Sequence, residues 1–341
     1  MRPVNRSNTQ NLDSLWPHRL AVTLLWATFP LIWMGGLVTS YDAGMAVPDW
    51  PTTFGYNMFL YPWQKWLFGP WNLFIEHGHR LLGAIVGMLT ILVVAAVWRF
   101  DRRGWMRFVA LGALAAVIFQ GGLGGMRVIQ NEVLLAKVHG CVAPAVFALF
   151  AAMAVFTSRT WKLAPPVTDH PTAGKLHRLA LLTTVLAYAQ LLLGAELRHI
   201  AVDATPGAFR AVVVFHLLMA GVVMLHALVL AVRVWRLHGD QRPLVQPAMA
   251  LGGLVALQLV LGGGTWVVKY SWPGWLSQFH FAARFTVEAE GMLQALIVTG
   301  HVATGSLILA TGVLLSLRSF RLVRGAAPQL GSKAMLTGVI P

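Results

Sequence analysis

Charge is scarce in this chain. Only 11% of its 341 residues are Asp, Glu, Lys or Arg, and 57% are hydrophobic. A soluble domain carries roughly a quarter charged residues, so that class is excluded. Cysteine is nearly absent. The single Cys141 excludes an internal disulfide and leaves no thiolate set for a metal. Acidic residues are also few, 12 against 26 basic, which leaves a formal charge of +14. An imbalance of that size suggests nucleic acid until it is mapped along the chain.

What is present is long apolar runs. Eight are read, at about 20–39, 74–98, 106–126, 137–157, 178–197, 210–234, 246–268 and 293–317. Each approximates the roughly 20 residues that cross a bilayer. Polar residues 1–19 lead straight into the first full-length span, without the pattern of a cleavable signal. With the N-terminus inside, the cytoplasmic segments hold 18 of the 26 basic residues and only Asp13, Asp101, Asp169 and Asp240 among the acids. The basic set runs from Arg2, Arg6 and Arg19 to Arg318, Arg321, Arg324 and Lys333. The whole net charge therefore falls on one side, as the positive-inside rule requires. The expectation is a multi-pass protein of the cell's inner or plasma membrane, both termini cytoplasmic, partnered by lipid and not by nucleic acid.

The chain repeats itself. "FQGGLGGMRV" (119–128) in the third span resembles "LQLVLGGGTWVV" (257–268) in the seventh, and "WMGGLVTSYDAG" (33–44) loosely matches "LLGAELRHIAVDA" (192–204). Between the copies lies the proline-bearing linker 158–177. An even number of spans per copy keeps both copies in the same orientation. The fold class expected is all-α: eight transmembrane helices as two same-orientation four-helix bundles, with halves 1–165 and 166–341. The outer loops 40–73 and 269–292 are long and rich in Trp and Pro. Such aromatics anchor at the membrane interface, and loops this long also form lids.

Five histidines lie within spans: His79, His139, His216, His226 and His301. All but His226 share the outer level, on spans two, four, six and eight; His226 is ten residues deeper than His216. A lone membrane histidine is commonly an interhelical hydrogen bond. These four share a further feature, a small residue at i+4 on the same face: Gly83, Ala143, Ala220 and Gly305. Open space one turn along from an imidazole suits a flat macrocycle. Paired histidines on facing helices fit haem iron as axial ligands, whereas zinc wants three or four ligands. Copper finds no Met or Cys at suitable spacing. The pairs expected are His79 with His139 and His216 with His301, one iron each.

The stretch "EHGHR" (76–80) sets the halves apart. Glu76 and His79 are i,i+3 and share a face, while His77 and His79 lie about 200° apart, which sends His77 to the rim. Position i−3 of His216 is Val213, so only the first half carries an acid. That asymmetry points to chemistry at one haem, fed electrons by the other. Glu76 could instead only pair with Arg80 at i+4, and Arg80 could reach a haem propionate.

"GGLVTSYDAGMAVPDWPTTFG" (35–55), "EHGHRLLGAIVG" (76–87) and "QGGLGGMRV" (120–128), followed by a degenerate second half, resemble the haem A synthase family over nearly the whole chain. That resemblance implies an oxidoreductase that converts a methyl group of haem O to the formyl group of haem A for cytochrome oxidase. It implies Glu76 as catalytic, His79 and His139 on the haem O substrate and haem A product, and His216 and His301 on a haem B cofactor. It implies partners in haem O farnesyltransferase and the oxidase assembly machinery, with quinol a candidate electron donor. Asp49, Trp50 and Trp63 on loop 40–73 are expected to position a substrate edge. Many bacterial members carry two cysteines flanking the PDWP segment; here those places hold Val47 and Thr53, and "SYDAG" replaces a "TGSG" type. Two other readings remain at this stage, a two-haem membrane electron carrier and a non-catalytic haem-handling assembly factor. A transporter would want a Gly/Pro-broken helix pair at the midplane, and none is read.

Overall fold

The computed structural model describes residues 14–166, 170–200, 203–270 and 291–325. Arg2, Arg6, Asp13, Asp169 and Lys333, and residues 271–290 of the second long outer loop, lie outside the described residues. Among the described residues eight helices are long and apolar enough to cross a membrane: α1 Trp16–Ser40, α3 Trp71–Phe100, α4 Gly104–Gln130, α5 Val133–Thr157, α7 Ala173–Arg198, α8 Pro206–Leu237, α9 Arg242–Tyr270 and α10 Met292–Leu322. Two short helices, α2 Trp63–Leu67 and α6 Arg159–Leu163, lie in the connections. Among the described residues there is no strand beyond an isolated bridge between Thr53 and Tyr56.

In hydrocarbon every backbone polar group must be satisfied within its own helix, so each apolar run folds as one. The helices overrun the apolar stretches at their N-terminal ends and, α5 excepted, at their C-terminal ends. Pro70 precedes α3 and has no amide that would need a partner. The Thr205 hydroxyl accepts from the Ala208 amide at 3.2 Å to start α8. Asn131 takes the left-handed conformation, φ 50°, to end α4.

Helix α1 packs on α3 and α5, and α4 on both α3 and α5, so the first four spans close a ring. In the second half α7 touches α8, α8 touches α9, and α10 touches both α9 and α7. The halves meet where α10 lies against α1 and α5, and α5 against α7. Helices α5 and α10 are the most buried, at 61% and 56% of their apolar windows, and α8 the least at 11%. The centre of the molecule is therefore formed by two of the histidine-bearing helices.

At the end away from the histidines each half is filled. Leu24, Val93, Met106, Phe150 and Met153 form one core, and Leu176, Leu230, Leu244, Leu251 and Leu315 the other. On that side Arg103 binds Asp101 at 2.6 Å and the Phe156 carbonyl at 2.9 Å, which fixes the α3–α4 turn to the end of α5. At the other end the apolar filling gives way to a cavity.

Candidate functional site: two histidine pairs in one cavity

The cavity measures about 1680 Å³ and is lined by all four outer-level histidines. A single small-ligand site occupies about 300–1,000 Å³, so this space exceeds one ligand. The small residues one turn beyond each histidine, Gly83, Ala143, Ala220 and Gly305, all line it. His226 does not.

The four histidines form two close pairs. The His79 and His139 rings have centroids 6.3 Å apart, and His216 and His301 6.4 Å. A metal–imidazole bond is about 2.0–2.1 Å and the nitrogen lies about 1.1 Å from its ring centre, so two rings trans on one ion stand about 6.3 Å apart. Both pairs have that spacing. No group of three or more His, Cys, Asp or Glu suited to a metal occurs among the described residues. A two-ligand iron inside a macrocycle fits this set and a zinc site does not.

Each histidine ring also rests on a glycine of the preceding span. A Cβ at Gly35 on α1 would stand 2.9 Å from Cε1 of His79, and one at Gly124 on α4 3.2 Å from that of His139. Gly194 on α7 meets His216 at 3.3 Å and Gly262 on α9 meets His301 at 3.1 Å. The structural repeat is thus a helix hairpin with glycine on one arm and histidine on the other, present four times. Four residues before three of these glycines stands a glutamine. Nε2 of Gln120 donates to the His139 carbonyl at 2.8 Å, and that of Gln190 to the His216 carbonyl at 3.1 Å. Nε2 of Gln258 lies 3.4 Å from Nε2 of His301. The place in α1 belongs to Leu31, so His79 alone lacks an amide neighbour of this kind. The sequence displays this signal as Gln-x-x-x-Gly at 120–124, 190–194 and 258–262; our reading paired whole halves and passed over it.

Glu76 lies one turn before His79, buried at the cavity wall. Its Oε1 accepts from Arg80 Nη2 at 2.7 Å and its Oε2 from the Val47 amide at 3.0 Å. Glu76 thus faces the cavity and pairs with Arg80. The Nη groups of Arg80 are taken up by the loop and Glu76. Its Nη1 donates to the carbonyls of Asp49 (2.6 Å) and Thr52 (3.0 Å), and its Nη2 to Val47 (2.6 Å) as well as Glu76. Those four bonds occupy every Nη hydrogen, so Arg80 is a clamp on the loop.

Loop 40–73 lies over the first half's cavity through Asp42, Met45, Trp50 and Met58. The Trp50 ring packs on Gly125, where a Cβ would stand 2.5 Å from it. Asp49 does not point at a substrate. Its carboxylate accepts from the Thr52 hydroxyl at 2.5 Å and from the amides of Phe54 (2.8 Å) and Gly55 (2.9 Å). Burial pushes the Asp49 carboxyl up, but these bonds outweigh it and hold the group below its usual value. Trp63 is exposed against Phe68, away from the cavity. His77 turns away from the cavity as the helical angle requires, yet it is buried and not at the rim. Its Nδ1 bonds the Thr53 hydroxyl at 3.1 Å, and its ring packs on Tyr61 and Trp66. The two positions where other members have cysteines therefore still tether the loop to α3, Val47 through Glu76 and Arg80, and Thr53 through His77.

The sequence profile described as Cytochrome oxidase assembly protein (COX15-CtaA) matches residues 70–289. A protein named Heme A synthase from Shouchella clausii (strain KSM-K16) is 29% identical over 189 residues, 53% of this chain and 58% of that one. A second Heme A synthase, from Symbiobacterium thermophilum, is 29% identical over 176 residues, 50% of this chain and 55% of its own length. The chain thus spans a little over half the length of the curated relatives it matches. With the profile covering well over half of the residues, the chain belongs to the COX15-CtaA family of cytochrome oxidase assembly proteins.

Proposed function

We propose that this protein is a haem A synthase, oxidising a methyl group of haem O to the formyl group of haem A. The reading is carried by one observation: two histidine pairs have the spacing of axial ligands, and a buried carboxylate stands beside only one of them. In this assignment His79 and His139 hold the substrate haem, and His216 and His301 hold a haem B cofactor. The iron supplies the redox chemistry when bound.

The chain's own residues supply the rest. Oxidising a methyl group releases protons at the substrate edge, and Glu76, one turn from His79, would take them. General acid–base groups of this kind contribute about 100- to 10,000-fold to a rate. Arg80 and the Val47 amide fix the carboxylate's orientation. Trp50 and the loop above it screen that half from the aqueous side, while the lining between the pairs, Gly140, Cys141, Leu191 and Gly194, leaves the two sites in one space. We further assign the protein to the cell membrane with both termini cytoplasmic. Haem O farnesyltransferase would supply its substrate, a quinol would exchange electrons with it, and the oxidase assembly machinery would take its product.

The test is acid–acetone extraction of purified protein, with each haem identified by mass. Haem B together with haem O and haem A is expected. Haem B alone in both sites would point to the electron-carrier reading instead.

A further inference from the structure

We propose that Arg198 binds a carboxylate side arm of the macrocycle held by His216 and His301, and that it joins this site to α1 of the other half. The inference rests on the haem reading above.

Arg198 ends α7 and lines the cavity. Its Nη2 donates to the Gly36 carbonyl at 2.8 Å and to the Ser40 hydroxyl at 3.1 Å, both on α1. Its Nη1 is buried with no partner, and among the described residues no carboxylate forms an ion pair with it. A desolvated guanidinium without an anion is costly, and breaking such a pair typically destabilises strongly. A cavity that keeps this charge beside two histidine pairs is built for an anionic ligand. Guanidinium matches carboxylate or phosphate because its donors form a planar fork. A haem of the kind assigned here brings two such carboxylates.

The surroundings are mixed in sign: Arg127 and Lys137 stand near, with Glu196 opposing them and Asp42 and Glu132 also on the cavity wall. Arg127 lines the cavity and donates only to the Gly44 carbonyl; it too has no ion pair among the described residues. His199, next to Arg198, is pushed down to about 4 by burial and then by Arg198, Lys137 and Arg127. Arg198 is also one of the places where the halves touch. Ser40 lies 3.3 Å from the Thr299 hydroxyl, two residues before His301. Gly36, whose carbonyl Arg198 holds, follows Gly35, on which the His79 ring rests. A carboxylate on Nη1 would therefore settle a residue that is tied through α1 to the neighbourhood of both sites.

The experiment compares iron protoporphyrin IX with its dimethyl ester, which removes both carboxylate charges and keeps the ring. Full-length protein carrying His139→Ala, made in haem-deficient cells, is titrated with each, so that the His216–His301 pair is read alone by its Soret band. With Arg198 present the free acid should bind about 10- to 100-fold tighter than the ester. Arg198→Gln should shrink that ratio at least several-fold, and Arg198→Lys should leave it in between. If Arg198→Gln does not fold, Arg198→Lys carries the comparison alone, since it keeps the charge and loses the fork. An unchanged ratio in the variant that folds overturns the proposal while leaving the haem assignment intact. Failure of the parent protein to bind either macrocycle overturns the haem assignment and this proposal with it.

Discussion

The four glycines under the histidine rings offer a graded perturbation with internal controls. Carbon atoms rest about 3.5–4.0 Å apart. A Cβ at Gly35 would stand 2.9 Å from the His79 ring, so Gly35→Ala must push that ring back by about 0.6 Å or more. At Gly194 the gap to His216 is 3.3 Å, and the displacement is about 0.2 Å. Adding a methyl to a packed interior costs about 1–3 kcal/mol, and each 1.4 kcal/mol is tenfold in affinity. Gly35→Ala should therefore lose haem at its site by roughly 10- to 100-fold in affinity and Gly194→Ala by only a few-fold, with Gly262→Ala and Gly124→Ala between them. Gly122 and Gly253 have nothing within 4 Å of an added Cβ. Alanine there should bind haem normally and raise helix stability by up to about 1 kcal/mol. The assay is haem per protein and low-spin absorbance of the purified full-length variants, with thermal melts beside them. Equal haem retention in Gly35→Ala and Gly122→Ala would refute the ring-on-glycine account.

The two histidine pairs should fail separately. His216→Ala or His301→Ala should remove the retained haem B and lower the melting temperature, because a bound cofactor stabilises by mass action; His79→Ala or His139→Ala should keep that haem and abolish product, as extraction and mass measurement would report. The loop should open on acidification: Asp49 is held below its usual value, so its contribution is complete above about pH 4 and is lost as pH falls through the lower folded-state value. Pepsin cleavage within residues 40–73 should rise over that interval in the parent protein, and Asp49→Asn should be cleaved readily throughout. Thr53→Val removes the bond to His77 and should likewise speed cleavage of the loop, with His77→Phe giving the same effect; rates equal to the parent's would deny the tether.

Much of this was legible because the residues concerned are costly where they stand. Ionisable groups in apolar runs are rare, so His79, His139, His216 and His301 stood out, and helical periodicity placed them at one level and sent His77 and His79 to opposite sides. The apolar runs themselves located all eight helices. The loop was not legible in the same way. Asp49, Arg80 and Trp63 were read as substrate-facing, but Asp49 closes its own turn and Arg80 binds three loop carbonyls. Backbone carbonyls carry no sequence signal, so a side chain satisfied by them looks free on paper. The importance of Arg198 was hidden for a related reason. Its partners Gly36 and Ser40 lie some 160 residues away on another helix, and only packing brings them together.

The central claim is that Glu76 performs acid–base work at one haem only. Glu76→Gln keeps the volume and an acceptor for Arg80 Nη2 while removing the titratable group. Arg80 would still hold the carbonyls of Val47, Asp49 and Thr52, so the loop and both haem sites should survive the change. The decisive measurement is the haem content of membranes carrying that variant, by extraction and mass. Unaltered haem B and low-spin spectrum are expected, with haem O accumulating, and haem A formed about 100- to 10,000-fold more slowly. Haem A at the parent's level from Glu76→Gln would contradict the account and leave Glu76 as a structural partner of Arg80.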